Sequence, residues 1–170
     1  MKLTLSILRY LVYAPAHCLL AAISYPIVPF LILFQRDAWL PNWCWWFQTW
    51  DNSLDGDNGW QTEHRPWLDI PYKQLSSLQR YVCRVMWLWR NPVYGFERKV
   101  LSANPTGEVI QYGSYTEGNG NVLYVQSNSF FWNGDKSIGY GKKLNWLIGW
   151  KIMYPERPAP ICSTVRFIKP

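Results

Sequence analysis

From Leu11 to Phe34 no side chain carries a formal charge, and about twenty apolar residues in helical form suffice to cross the hydrocarbon core of a bilayer. Lys2 and Arg9 precede this run, and Arg36 and Asp37 follow it. It predicts an N-terminal transmembrane or membrane-embedded helix, with residues 1–38 as the membrane anchor. The run is too long for the apolar part of a usual secretory signal, and no small-x-small cleavage site follows, so it reads as an uncleaved anchor. Pro15, Pro26 and Pro29 interrupt it. Each removes a backbone donor and crowds the preceding turn, a defect that membrane helices tolerate when neighbouring groups satisfy the freed carbonyls. A kinked span, a re-entrant hairpin and a helix lying in the interface all fit, the span being the first expectation. The bland alternative is a buried helix of a soluble protein, but such helices seldom run this long without charge.

Basic residues concentrate on the cytoplasmic side of membrane segments. Lys2 and Arg9 therefore place the N-terminus in the cytoplasm, since Asp37 offsets Arg36. Fourteen lysines and arginines follow from Arg65 onward, so a hairpin that keeps the whole chain cytoplasmic stays open.

Residues 39–72 form the second region, a tryptophan-rich loop. Trp39, Trp43, Trp45, Trp46 and Trp50 lie among Asp, Asn, Gly and Pro. Indole has an apolar ring and a polar N–H, so it settles where hydrocarbon meets water. These five, with Trp87 and Trp89 further along, are the expected membrane-interface residues.

Residues 73–170 are expected to hold a basic amphipathic helix followed by a small antiparallel β-meander, making the whole an α+β protein. Asp69-Ile70-Pro71 reads as a helix start. From Lys73 to Arg90, Leu75, Leu78, Val82, Val85 and Trp89 fall on one stripe, widened by Tyr81 and Leu88. Asn91-Pro92 ends the helix. Helices of this kind lie on membrane surfaces with arginines toward phosphates, or pack the stripe on a core. Arg80, Arg84 and Arg90 are the expected contacts to lipid headgroup phosphate. Trp87 and Trp89 project about 160° apart at 100° per residue, so both cannot enter one core. Strands are expected at Glu108–Tyr115, Val122–Trp132, Lys143–Met153 and Ile161–Ile168. Turns are expected at Glu117–Asn121 and at Asn133-Gly134-Asp135, with a proline-rich linker from Pro155 to Pro160.

The densest polar motif is the loop Asp51–Trp60. Counted from Asp51, oxygen-bearing side chains occupy positions one, three, five and seven, with Gly56 at the sixth. This partly imitates a calcium loop. The closing bidentate glutamate is missing, because Thr62 stands there and Glu63 comes one step late. A looser calcium or magnesium site on Asp51, Asp55 and Asp57 is the sharp reading, and a turn-rich loop held by Asx hydrogen bonds is the plain one. With His64 the same aspartates define a second function class, a cation-dependent envelope hydrolase. No GxSxG, HExxH or phosphate-binding glycine loop is present, no catalytic residue is assigned, and no cofactor is otherwise expected. The four cysteines, Cys18, Cys44, Cys83 and Cys162, lack metal-ligand spacing. Cys18 reads as a packing thiol, and two of the others could pair in an oxidising compartment.

A net charge of +6 calls for an anionic partner. Arginines among aromatics suit nucleic acid, which keeps a virion or nucleic-acid-binding component as a third class. Beside an apolar anchor, a lipid bilayer explains the same residues more simply.

The loop Asp51–Trp60, the run Arg84-Val85-Met86-Trp87-Leu88-Trp89-Arg90-Asn91-Pro92-Val93-Tyr94-Gly95-Phe96 and the late Ile148-Gly149-Trp150-Lys151 resemble segments of small, uncharacterised, membrane-associated proteins of tailed bacteriophages. The resemblance covers the middle and C-terminal two thirds of the chain. It implies a phage-encoded, membrane-associated accessory protein. Taken with the anchor, the expected role is non-catalytic, at the host inner membrane, with a host or phage membrane protein as the expected contact. It carries over no catalytic residues.

Overall fold

A computed structural model describes residues 2–104, 106–116, 119–139, 142–152 and 158–168. The protein is α+β. Among the described residues it has a long apolar N-terminal helix, two further α-helices and one five-stranded antiparallel sheet. The chain divides into two compact units. One is Met1–Cys18 with Glu97–Pro170, and the other is Leu19–Phe96. These units cut across the boundaries expected at 38 and 72, because each takes part of the N-terminal helix as a packing element.

That helix, α1 (Lys2–Leu31), is unbroken through all three prolines and continues as a 3-10 turn, Ile32–Phe34. Its 30 residues span about 45 Å at 1.5 Å per residue. The re-entrant hairpin is not what forms. Proline at position 29 withholds the N–H that would reach the carbonyl of Tyr25. The Trp89 indole N–H donates to that carbonyl instead, at 3.0 Å. The Tyr81 hydroxyl donates to the carbonyl of Pro29 at 2.9 Å, so a second aromatic group of the second helix bonds the backbone near the end of α1.

The second helix, α2 (Ser77–Arg90), begins later than the sequence suggested. Tyr72–Gln74 is a separate 3-10 turn. Ser76 is the N-cap, and its hydroxyl accepts from the Gln79 N–H while the Gln79 side chain accepts from the Ser76 N–H. This reciprocal capping box is written in the sequence as Ser-x-x-Gln, and Asp69-Ile70-Pro71 is not the start. The buried face is also displaced. Cys83, Val85, Trp87 and Leu88 are buried, whereas Leu78 is 71% exposed. Val85, Trp87 and Leu88 join Val28, Leu31 and Leu54 in the apolar core of this unit. A short α3, Tyr94–Lys99, follows.

The sheet is a meander in sequence order, every neighbour antiparallel: β1 (Ile110–Thr116), β2 (Asn119–Gln126), β3 (Ser129–Gly139), β4 (Lys142–Trp150) and β5 (Ile161–Ile168). One expected turn is misplaced. The chain reverses at Ser127-Asn128, between the paired Gln126 and Ser129, which splits the expected strand Val122–Trp132. Asn133-Gly134-Asp135 lies inside β3, where Gly134 pairs with Trp146. A Cβ on Gly134 would collide with the Trp146 indole, so this glycine makes room for a ring. Glu117 and Gly118 of the other expected turn, and residues 153–157 at the end of the third expected strand and in the proline-rich linker, lie outside the described residues.

The core of this unit is aromatic. Tyr10 of α1, Phe130 of β3 and Trp150 of β4 meet edge to face with ring centroids 5.3, 5.7 and 5.9 Å apart. The Trp150 N–H donates to the carbonyl of Leu101 at 2.8 Å.

Candidate membrane-facing surface and arginine cleft

The two faces of α1 are opposite in polarity to those of a soluble amphipathic helix. In the half belonging to the sheet unit, Ser6 and Tyr10 are buried and Arg9 and His17 half-buried, while Leu5, Leu8, Leu11 and Val12 are exposed. The Tyr10 hydroxyl donates to the Cys162 carbonyl at 3.0 Å and lies 2.7 Å from the Ser163 hydroxyl. Arg9 donates to the Ser102 carbonyl at 2.8 Å and lies over the rings of Tyr13 and Trp150. His17 Nε2 is 2.5 Å from a Glu97 carboxylate oxygen, and the two side chains are 12% and 11% exposed.

In the half belonging to the helical unit, Ser24 and Val28 are buried while Leu19, Ile23, Ile27 and Phe30 are exposed. The polar groups turn inward and the hydrocarbon turns outward. Water-solvated helices do the reverse, and an extended exposed apolar face marks a lipid or protein contact. α1 is long and apolar enough to cross a membrane.

The expected interface tryptophans separate into two groups. Trp39, Trp43, Trp46 and Trp50 are exposed, Trp43 by 67%. The Trp43 ring meets Phe34 edge to face at 6.0 Å. Trp45 is half-buried beside Trp46. Trp87 is not at an interface. It is 4% exposed and packs on Trp60 with centroids 5.7 Å apart. Trp89 is half-buried against the margin of the same core, held by its bond to Tyr25.

The acidic loop does not gather its oxygens. Asp51 accepts from the Asn52 side chain at 3.1 Å. Asp57 accepts from the Trp60 N–H at 2.7 Å and so caps the π-helical turn Trp60–His64. Asp55 accepts from Tyr72 at 2.6 Å and forms an ion pair with Arg84 at 2.7 Å. Among the described residues no three His, Cys, Asp or Glu side chains come together as a metal centre requires. His64 lies near the adjacent Glu63, at 3.9 Å. Leu54 and Trp60, both buried, pin the loop to the core. Burial, then the hydrogen bond to Asp55, pushes the Tyr72 hydroxyl pKa well above its ordinary value.

Of the expected phosphate contacts, Arg80 and Arg84 share one cleft of about 370 Å³, and Arg90 is not part of it. Ile32 and Leu33 form one wall, with Ser77, Arg80 and Arg84 on α2 opposite. Arg84 is only 13% exposed and already paired with Asp55. Arg80 has no carboxylate partner among the described residues. Its Nε is buried without a hydrogen-bond partner, and its Nη2 makes long contacts of 3.3 and 3.4 Å to the carbonyls of Lys73 and Leu75. Arg90 is exposed, its guanidinium 6.0 Å from the Trp60 ring.

The remaining reactive groups are quiet. All four cysteines are free, so no pair forms. Cys18 is exposed rather than packed, and Cys44, Cys83 and Cys162 are buried. Burial pushes the Cys162 thiol up to about 12.

Several organising residues had no distinctive sequence signal. Arg65, almost fully buried, donates to the carbonyls of Gln61, Pro66, Trp67 and Ile70 and ties the end of the loop. Asp135, Asn145 and Arg166 line up across β3, β4 and β5, with Asn145 donating to Asp135 and accepting from Arg166.

These features define an α+β protein whose N-terminal helix directs hydrocarbon outward and polar groups inward. The chain belongs to the family described as "Family of unknown function (DUF7338)", which it matches over residues 1–170. No curated protein and no solved structure matches it.

Proposed function

We propose that the protein is a non-catalytic, phage-encoded accessory protein that associates with the host inner membrane through α1, contacting a host or phage membrane protein there. The observation that carries the membrane part is the polarity of α1. Ser6, Arg9, Tyr10, His17 and Ser24 face the protein, and the exposed residues from Leu5 to Phe34 carry no charge. Ionisable groups on membrane-embedded helices face protein rather than lipid. In each unit taken by itself, its half of α1 packs on protein along one side and exposes hydrocarbon on the other, as a membrane-embedded helix does. Lys2 and Arg9 keep the N-terminus cytoplasmic in either arrangement. The phage origin and the accessory role rest on the resemblance of the Asp51–Trp60, Arg84–Phe96 and Ile148–Lys151 segments.

Cys18 provides the test, since its thiol is exposed on the uncharged stretch. With Cys44, Cys83 and Cys162 replaced by alanine, a membrane-impermeant maleimide leaves Cys18 unlabelled in intact and in broken membranes and labels it after detergent. Carbonate washing leaves the protein in the pellet. Full labelling in broken membranes, or release by carbonate, overturns the reading.

A further inference from the structure

We propose that the Arg80–Arg84 cleft is a binding site for the phosphodiester headgroup of a singly charged anionic glycerophospholipid. The inference rests on the membrane reading above and adds the ligand. Three features carry it.

The first is charge. Arg80 and Arg84 bring two positive charges, and Asp55 returns one through its 2.7 Å pair with Arg84. One positive charge remains, on Arg80. A phosphodiester carries one negative charge. A phosphomonoester carries about −1.5 to −2, and a zwitterionic headgroup adds an ammonium that would face Arg80.

The second is spare donor capacity. Arg80 lines the cleft, its Nη2 makes only long bonds of 3.3 and 3.4 Å to the carbonyls of Lys73 and Leu75, and its guanidinium lies 6.0 Å from the Tyr72 ring. Guanidinium presents a planar fork that suits phosphate oxygens. Ser77 lines the same cleft and has a hydroxyl to offer, with the Gln35 and Tyr81 side chains also at its rim.

The third is position. Leu33 lines the cleft and is also one of the exposed apolar residues that continue the outer face of α1. A lipid whose acyl chains lie along that face has its phosphate within reach of the arginine. The cleft's volume of about 370 Å³ falls in the range of small-ligand sites.

The test uses the full-length protein in nanodiscs of phosphatidylcholine with a minor fraction of phosphatidylglycerol, phosphatidic acid or phosphatidylethanolamine. Co-purified lipid is counted by native mass spectrometry. Phosphatidylglycerol is expected to be retained about tenfold over each other lipid, a difference of about 1.4 kcal/mol. Arg80→Gln removes the preference. Arg90→Gln, which deletes the same charge from the same helix outside the cleft, keeps it.

Loss of the preference in both variants means diffuse attraction and overturns the site. Equal retention of all lipids, or preference for phosphatidic acid, overturns the charge match. Displacement of phosphatidylglycerol by millimolar inorganic phosphate assigns the cleft to the free ion and overturns the lipid. Insertion into pure phosphatidylcholine without selectivity defeats this inference alone, and failure to enter any nanodisc defeats the membrane reading with it.

Discussion

The two units hold their shares of α1 by different chemistry. The sheet unit holds its share through polar groups and one aromatic ring: a guanidinium on a carbonyl, a tyrosine hydroxyl on β5, the His17–Glu97 pair, and the Tyr10 ring edge to face on Phe130 and Trp150. The helical unit holds its share through aliphatic packing of Val28, Leu31 and Ile32, with Trp89 supplying the donor that Pro29 withholds from the Tyr25 carbonyl and Tyr81 bonding the Pro29 carbonyl. Directional bonds fix rotation and register, whereas aliphatic packing tolerates adjustment. From Leu5 to Leu31 the exposed residues of the helix carry no charge. In that stretch Arg9 and His17 turn toward the protein, where a helix solvated by water would expose them.

The largest effect that separates the two modes comes from Trp150, which is fully buried and touches Tyr10, Phe130 and Arg9. Trp150→Ala should destabilise the sheet unit by about 4 kcal/mol, the usual cost of emptying a large aromatic site. The expected readout is loss of hydrogen-exchange protection in β3 and β4 before α2. Simultaneous loss in both units would show that the two modes do not act separately.

Asp55→Ala ranks next. It leaves Arg84 and Tyr72 without their shared acceptor, at a cost of about 3 kcal/mol for a half-buried pair broken from one side. Thermal unfolding should shift down by the same amount with calcium, with magnesium or with chelator present. A metal-dependent shift in the parent protein would return the loop to cation binding and restore the hydrolase reading.

The alkaline limb of stability comes third. Cys162 and Tyr72 both have pKa values raised by burial, so each favours the folded state while protonated. Their contributions are complete below the unfolded pKa values, about 8.5 and about 10. Each is then lost as pH rises toward the folded value, by up to about 1.4 kcal/mol per pH unit per group. Cys162→Ala should flatten the fall that begins near the thiol's unfolded value, and Tyr72→Phe the part that begins higher, as read from denaturant midpoints across pH.

The smallest effect is Trp89→Phe. It removes the donor to the Tyr25 carbonyl but leaves a ring, and should cost about 1 kcal/mol in the helical unit alone. An equal loss in the sheet unit would again erase the contrast.

Much of the fold was legible because its signals are local. The extended segment after the proline-rich linker matched β5 with the bounds observed, alternation marked β4, and the absence of charge marked α1. The errors arose where a local signal had a competitor. Asn-Gly-Asp is a strong turn sequence, yet Gly134 is needed opposite Trp146, and Ser127-Asn128 takes the reversal. Asp69-Ile70-Pro71 resembles a helix start, but Ser76 and Gln79 form a reciprocal cap. The candidate site was readable in part. Arg80 and Arg84 were legible as a basic face. The pairing of Arg84 with Asp55, 29 residues apart, was not.

Sequence alone determined that an uncharged stretch opens the chain, that α+β elements follow it, and that basic residues outnumber acidic ones. These are properties of composition and short-range periodicity, which each residue carries wherever it is placed. Only the tertiary structure decided which side of α1 faces the protein, which arginine keeps its charge unmatched, and which tryptophans are core. Those outcomes depend on partners far along the chain, and a buried charge or an unmet donor acquires its energy only when such a partner is brought near or withheld.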